Sequence, residues 1–170
     1  MRTKNLYSYP MEQKDILKIA NKGPVRSHIK YHSNIDNADY DLTHAIDFLC
    51  KLRAPVRVAL DGEVIYIQDG ITKNYGGLES PPTRIMKESE QDGNCVVLKH
   101  VNNEFSIYSH LESNQIQVKV KDIVKTGDLL GYCGLTGWSS KIHLHFMVFI
   151  YTKPQPAKDF ESLDIRWKQT

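Results

Sequence analysis

The sequence predicts an all-β protein, in which antiparallel sheets form an open, flattened barrel or sandwich with few short helices. Three observations predict this class. The apolar runs are rich in β-branched residues and alternate with polar positions, as half-buried strands do. Glycines and residue pairs that suit tight turns separate these runs. No stretch keeps the 3.6-residue apolar period of an amphipathic helix.

Two hairpins are predicted from their turn residues. In the run PVRVALDGEVIYI, the pair Asp61-Gly62 lies between two strand-like halves and accepts the positive φ of a two-residue turn. In the run CVVLKHVNNEFSIYSHL, the pair Asn102-Asn103 takes the same place between two alternating strands. The sequence therefore predicts that each pair connects two adjacent antiparallel strands.

Three further segments complete the expected organisation. The run MEQKDILKIANKG near the start predicts a short helix or turn. Residues 68–94 are polar with Gly-Gly and Pro-Pro pairs, which predicts a long surface loop that either walls a binding groove or is a tolerated insertion. The C-terminal run contains two prolines followed by spaced apolar residues, so we expect it to leave the last strand and pack back on the body.

Composition excludes several classes of partner. The sequence has 22 Lys and Arg and 20 Asp and Glu. The net charge of +2 therefore gives no electrostatic reason to expect binding to nucleic acid or to an anionic membrane surface. The most apolar run, IHLHFMVFIY, is about half the roughly 20 residues of a membrane span. Cys50, Cys95 and Cys133 are odd in number and widely separated, which argues against a disulfide framework and a cysteine zinc site.

The first residues carry charges where a secretory signal needs an unbroken apolar stretch, at Glu12, Lys14, Asp15 and Lys18. If Met1 is the natural start, no Sec signal is visible and a cytoplasmic location is the default expectation. A place in the envelope or outside the cell would then require another export route or a truncated chain.

Histidines are the strongest chemical signal. In IHLHF, His143 and His145 share one face of a predicted strand, and the same alternation puts Ser106, Tyr108 and His110 on one face of another. A hydrolytic zinc site needs about three His, Asp or Glu ligands and an open position for water. The candidates are His28, His32, His44, His100, His110, His143, His145, Asp36 and Asp47.

The order of motifs around these residues resembles the lysostaphin-type zinc metallopeptidases, also called LytM-like peptidases. The resemblance spans about residues 32–150 and keeps every block in order. In that family an aspartate opens a strand, and a Pro-Val pair, an Asp-Gly pair, a Tyr-x-His-Leu element, a glycine-rich segment and His-x-His follow. The corresponding residues here are Asp47, Pro55-Val56, Asp61-Gly62, His110 within YSHL, Gly127 to Gly137, and His143 and His145.

The resemblance implies a Zn²⁺ cofactor held by Asp47 and His145. The family's first ligand usually lies four residues before the aspartate, where this chain has Thr43. The missing ligand is then His32 or His44. His32 is preferred, because some relatives place this histidine further upstream.

His44 lies three residues before Asp47 and would point to the opposite face of an extended strand unless a bulge corrects it. Asp36, four residues after His32, completes a similar string but lacks the downstream motifs that mark Asp47.

The implied activity is that of a zinc-dependent endopeptidase, which hydrolyses peptide bonds, for instance in peptidoglycan-like peptides, with a metal-activated water. His110 and His143 become the catalytic histidines, with His143 preferred as the proton acceptor although the two roles are exchangeable. The alternative is a catalytically inactive LytM-like domain that binds or activates a partner cell-wall hydrolase. We expect one domain over residues 1–170, with an N-terminal extension (1–27), a catalytic core (28–152) and a tail (153–170).

Overall fold

A computed structural model describes residues 1–20, 28–34, 37–76 and 90–169. These residues form an all-β fold with short 3₁₀ turns such as Gln13–Asp15, which confirms the predicted class. None of their helical segments is long and apolar enough to cross a membrane. The strands are β1 (Ile16–Ala20), β2 (Lys30–Ser33), β3 (Ala38–Asp41), β4 (Ile46–Cys50), β5 (Pro55–Arg57), β6 (Gly62–Gln68), β7 (Asn94–Lys99), β8 (Phe105–Leu111), β9 (Ile123–Val124), β10 (Leu129–Tyr132), β11 (His143–Tyr151) and β12 (Phe160–Ser162).

In the described part of the chain, ten strands form one open sheet and β5 pairs with β10 in a small second sheet. The main path runs β2-β3-β12-β11-β8-β7-β6-β9, and β4 joins β11 to β1. The long strand β11 has β8 on one edge, and β4 followed by β12 along the other edge. The strand pairs are antiparallel except for β3 with β12. The sheet therefore brings β4, β8 and β11 side by side at its centre.

The two predicted hairpins have different outcomes. Strands β7 and β8 pair antiparallel, with Asn102 and Asn103 between them at φ values of 62° and 56°, which confirms the second hairpin. The hairpin at Asp61-Gly62 is wrong, since β5 pairs with β10 whereas β6 pairs with β7 and β9. The Asp61 carboxylate instead accepts hydrogen bonds from the Thr126 backbone N–H at 2.7 Å and from Lys125 Nζ at 3.0 Å. These bonds fix the segment between β5 and β6, where the chain passes from the small sheet to the main sheet.

The predicted common face of Ser106, Tyr108 and His110 is interrupted at His110. Tyr108 is opposite Phe146, is fully buried in the core, and its hydroxyl accepts a hydrogen bond from the Ala59 N–H. His110 has a φ of 63°, the left-handed region, which turns its side chain to the other face of the sheet. Its ring lies 4.7 Å from that of His143. A single residue of unusual backbone conformation therefore ends the alternation of β8.

The core lies against one face of the central strands. It includes Phe48, Tyr108, Leu144 and Phe146, and segments from both ends of the chain pack on it. Tyr7 forms a parallel bridge with Trp167. The segment predicted as a short helix or turn contains the 3₁₀ turn followed by β1, and its last residues, 21–23, lie outside the described residues. The C-terminal residues continue through β12 to Leu163 and Ile165, which are buried.

Candidate metal and active site

Asp47 and His145 are brought together by the register of β4 and β11. They are directly opposite each other in the antiparallel pair, one step from the opposed pair Phe48 and Leu144. Because side chains alternate along strands, Phe48 and Leu144 enter the core whereas Asp47 and His145 share the other face. His145 Nδ1 lies 3.1 Å from Asp47 Oδ1, and both residues are buried.

His28 completes a group of three potential metal ligands. It lies just before β2, with its Nε2 3.4 Å from Asp47 Oδ1. Its ring centroid is 5.1 Å from that of His145. One donor atom from each of the three residues lies within 4.8 Å of the others, and all three residues are buried. The Leu42 N–H donates to the Ile29 carbonyl at 3.1 Å and so ties the residue after His28 to the turn before β4.

The structure does not bring His32 or His44 to this group. His32 lies on β2 with a half-exposed side chain, and its Nδ1 is 2.9 Å from Asp39 Oδ1. His44 is half-buried in the turn before β4, and its backbone N–H donates to Ser162 Oγ at 3.0 Å. His28 therefore takes the position that the sequence interpretation gave to His32, or alternatively to His44. Asp36 lies outside the described residues.

A hairpin explains how His28 reaches Asp47 from so far along the chain. Strands β2 and β3 pair with each other between these two residues, so the two ends of the hairpin stay together. His28 was among the candidate histidines, but its long separation from Asp47 along the sequence gave no indication that the two residues are close in space. A strand assignment for residues 30–41 would have been needed to recognise it.

His143 and His110 lie beside the three-residue group with a defined ring orientation. His143 Nδ1 is 2.8 Å from the Lys141 carbonyl oxygen, and its Nε2 is 3.5 Å from Asp47 Oδ1. His110 Nδ1 is 2.8 Å from the Thr136 carbonyl oxygen. Since a carbonyl oxygen only accepts hydrogen bonds, Nδ1 of each neutral ring carries the proton and Nε2 is left as an acceptor.

The cluster separates charged from neutral groups. Burial raises the pKa of Asp47, but hydrogen bonds from His145 and His28 outweigh burial and hold the pKa well below its usual range. Burial lowers the pKa of His145, yet its hydrogen bond and charge interaction with Asp47 raise the pKa overall. Burial is also the main cause that lowers the pKa of His143 and, more strongly, that of His110. Those two rings are therefore neutral near pH 7.

The predicted 68–94 loop is bonded at both of its described ends to the segment that precedes β11. Tyr75 N–H donates to the Gly137 carbonyl at 2.7 Å, and Trp138 N–H donates to the Gln91 carbonyl at 2.9 Å. These bonds join both described ends of the 68–94 loop to the segment that carries Thr136 and Ser139, the neighbours of His110 and His143. The middle of that loop, residues 77–89, lies outside the described residues.

The candidate ligands and the all-β fold indicate the metallopeptidase class, and comparison with known proteins identifies the family. The model of peptidase family M23 matches residues 41–157, so the chain belongs to peptidase family M23. The match begins after His28, and the assignment of that residue to the site rests on the structure.

Two similar curated proteins are endopeptidases by name. The chain is 35% identical to the glycyl-glycine endopeptidase ALE-1 of Staphylococcus capitis over 61% of this chain and 23% of that protein. It is 29% identical to the peptidoglycan DD-endopeptidase ShyB of Vibrio cholerae over 65% of this chain and 21% of that protein. The chain thus spans less than a quarter of the length of either relative. A crystal structure of a zinc containing peptidase from Vibrio cholerae shares the fold, with a TM-score of 0.58 and 24% identity over 85% of this chain and 36% of that one.

Proposed function

We propose that this chain is a zinc-dependent endopeptidase that hydrolyses peptide bonds of peptidoglycan-like peptides. The observation that carries the proposal is the convergence of His28, Asp47 and His145 beside two neutral histidines. Membership of peptidase family M23 and the endopeptidase names of the relatives support the reaction class.

The donor set fits zinc. Two imidazoles and one carboxylate are typical ligands of catalytic Zn²⁺, and three protein ligands leave a coordination position for water. Bound zinc supplies Lewis acidity and brings the pKa of such a water toward about 7. His145 and His28 present ring nitrogens to the Asp47 carboxylate, and metal binding would displace any protons that those nitrogens carry.

His110 and His143 can handle the water together. Each offers an accepting Nε2, and a water molecule has two O–H groups, so one histidine takes a proton while the other holds the second O–H. The histidine that takes the proton can then deliver it to the leaving amine. His143 is preferred for this task because its Nε2 lies near the carboxylate of Asp47, which stabilises the protonated ring.

The alternative function, a catalytically inactive domain that binds a partner hydrolase, would be favoured if a metal ligand were missing. Such a domain would keep too few groups to hold a metal, whereas His28 completes the set here with Asp47 and His145. The geometry therefore favours the enzyme over the binding module.

Zinc content tests the ligand set directly. Elemental analysis of the purified wild type should give stoichiometric zinc that is lost in His28→Ala and His145→Ala. His32→Ala and His44→Ala are matched controls and should keep it. A wild type that stays metal-free after zinc is added would overturn the proposal, and retention of zinc in His28→Ala would remove that residue from the site.

Cleavage is then measured on two substrates, an oligoglycine peptide and a peptidoglycan fragment with a D-amino acid cross-link, by the appearance of new amino groups. We expect cleavage of at least one substrate by wild type, and none by His145→Ala or after chelation. No cleavage of either substrate by zinc-loaded wild type would contradict the proposed substrate class.

A further inference from the structure

Two cysteines from distant parts of the chain are in contact in the hydrophobic core. Cys50 ends β4, and Cys133 follows β10 at a sequence separation of 83 residues. Their sulfur atoms lie 2.8 Å apart, and the residues are 4% and 0% exposed. Both are free thiols in this structure, and the third cysteine, Cys95, is also free and buried. The odd number of cysteines in the sequence therefore gave no sign that two of them are in contact.

The backbone holds this pair in position. The chain turns after Cys50, and the turn bonds directly to Cys133. Arg53 N–H donates to the Cys133 carbonyl at 2.8 Å, and Cys133 N–H donates to the Ala54 carbonyl at 2.9 Å. Two sulfurs already at 2.8 Å need to move by less than roughly 1 Å to reach a disulfide bond length of about 2.05 Å.

We propose that Cys50 and Cys133 are a redox modification site, at which a small-molecule disulfide such as glutathione disulfide oxidises the two thiols to an intramolecular disulfide. This inference is independent of the proposed peptidase activity, because it concerns neither the metal group nor the substrate.

The chemistry assigns different tasks to the two sulfurs. Cys50 is the attacking thiol, since it is the more exposed residue and the hydrogen bond with Cys133 lowers its pKa. Its thiolate forms a mixed disulfide with the reagent and releases one thiolate. Cys133, whose pKa the same contact raises, then loses its proton, attacks the Cys50 sulfur and expels the second thiolate. Two electrons pass from the cysteines to the reagent, and one reagent disulfide becomes two thiols.

The bridge would connect two segments that adjoin candidate site residues. β4 carries Asp47 three residues before Cys50, and the Gly134 N–H next to Cys133 donates to the His110 carbonyl at 2.9 Å. A crosslink between residues so far apart in sequence restricts the unfolded chain, so we expect the oxidised protein to have a Tm higher by roughly 5–15 °C. Because the sulfurs are buried, we also expect oxidation to be faster when mild denaturant opens the fold locally.

The experiment incubates the reduced full chain with glutathione disulfide, then counts free thiols after denaturation and maps crosslinked peptides by mass spectrometry. Wild type and Cys95→Ala, the matched control, should each lose two thiols and the mass of two hydrogen atoms, with Cys50 linked to Cys133. Cys133→Ala should form no intramolecular bridge, and reduction of wild type should reverse the Tm shift.

Wild type alone can overturn the proposal, so the result does not depend on the folding of a variant. Thiols that persist in the presence of excess glutathione disulfide and mild denaturant would overturn it. So would a bridge that includes Cys95, or glutathione that remains attached to Cys50 without transfer to Cys133. Peptidase activity is not a readout here, and its absence would leave the thiol result unchanged.

Discussion

The two faces of the central strands have opposite roles although the same strands form them. On one face of β4, β8 and β11, Phe48, Tyr108 and Phe146 are completely buried in the core. On the other face, Asp47 and His145 form a buried polar pair with His143 beside them. Alternation lets neighbouring residues of one strand serve stability and chemistry separately, so a change on one face should leave the other face largely intact.

The two faces also differ in how they are completed. On β4, β8 and β11, residues that follow the strand alternation form the core face. On the polar face, two histidines are placed there by something other than this alternation. His28 comes from outside the central strands, before the β2–β3 hairpin. His110 reaches the face through a left-handed backbone conformation that most residues avoid. The candidate site therefore combines three residues that follow the strand alternation, Asp47, His143 and His145, with two histidines that do not.

The largest expected effect separates chemistry from stability on the polar face. His143→Ala should lower peptidase activity by about 10²–10⁴-fold because it removes a proton acceptor. The free energy of unfolding should fall by only about 1 kcal/mol, since the ring nitrogen Nδ1 loses its contacts with the Lys141 carbonyl and the Ser139 hydroxyl. Initial rates and urea titrations measure the two quantities. His44→Ala is the control, and equal loss of activity in both variants would contradict a catalytic role for His143.

A core substitution should show the reverse pattern. Phe146→Ala opens a cavity in a fully buried position and should reduce the free energy of unfolding by about 3–5 kcal/mol. The folded fraction should still bind zinc in the wild-type ratio, because Phe146 faces away from Asp47 and His145. Leu52→Ala, a half-exposed position, is the control for stability. Loss of zinc from folded Phe146→Ala would show that the faces are not independent.

The smallest effect concerns pH in the metal-free protein. The pKa values of His110 and His143 are lowered in the folded state, so below about pH 6.5 the unfolded chain binds protons first. Stability should fall as pH falls from about 6.5 toward the folded pKa values, with a slope of up to about 1.4 kcal/mol per pH unit for each histidine. His145 has a raised pKa and contributes stability that is lost at higher pH, as pH rises through that pKa.

Urea unfolding with a chelator present, measured at a series of pH values, checks this slope. His110→Gln should reduce the slope below pH 6.5, whereas the exposed control His32→Gln should not. Identical slopes in wild type and His110→Gln would contradict the assignment of a buried neutral ring at position 110.

Local sequence signals correctly predicted features that depend only on residues near one another in the chain, such as a turn or the alternation of a strand. The Asn102-Asn103 hairpin is correct because both residues accept positive φ where they stand. Asp61-Gly62 looked equally suitable, but the Asp61 carboxylate accepts a hydrogen bond from Thr126, 65 residues away. The turn preference of a residue pair cannot predict such a distant partner. The shared face of His143 and His145 followed from strand alternation, and their approach to Asp47 was implied by the family's motif order.

The amino-acid sequence by itself was enough to predict the all-β class, the family and the candidate site residues Asp47, His110, His143 and His145, because these depend on period, turn chemistry and motif order. Tertiary structure decided the rest. It puts His28, and not the predicted His32, beside Asp47 and His145, since the pairing of β2 with β3 brings distant parts of the chain together. It also turned His110 to the polar face and put Cys50 against Cys133. Contacts of this kind depend on sheet register and chain crossing, which the spacing of residues along the chain does not record.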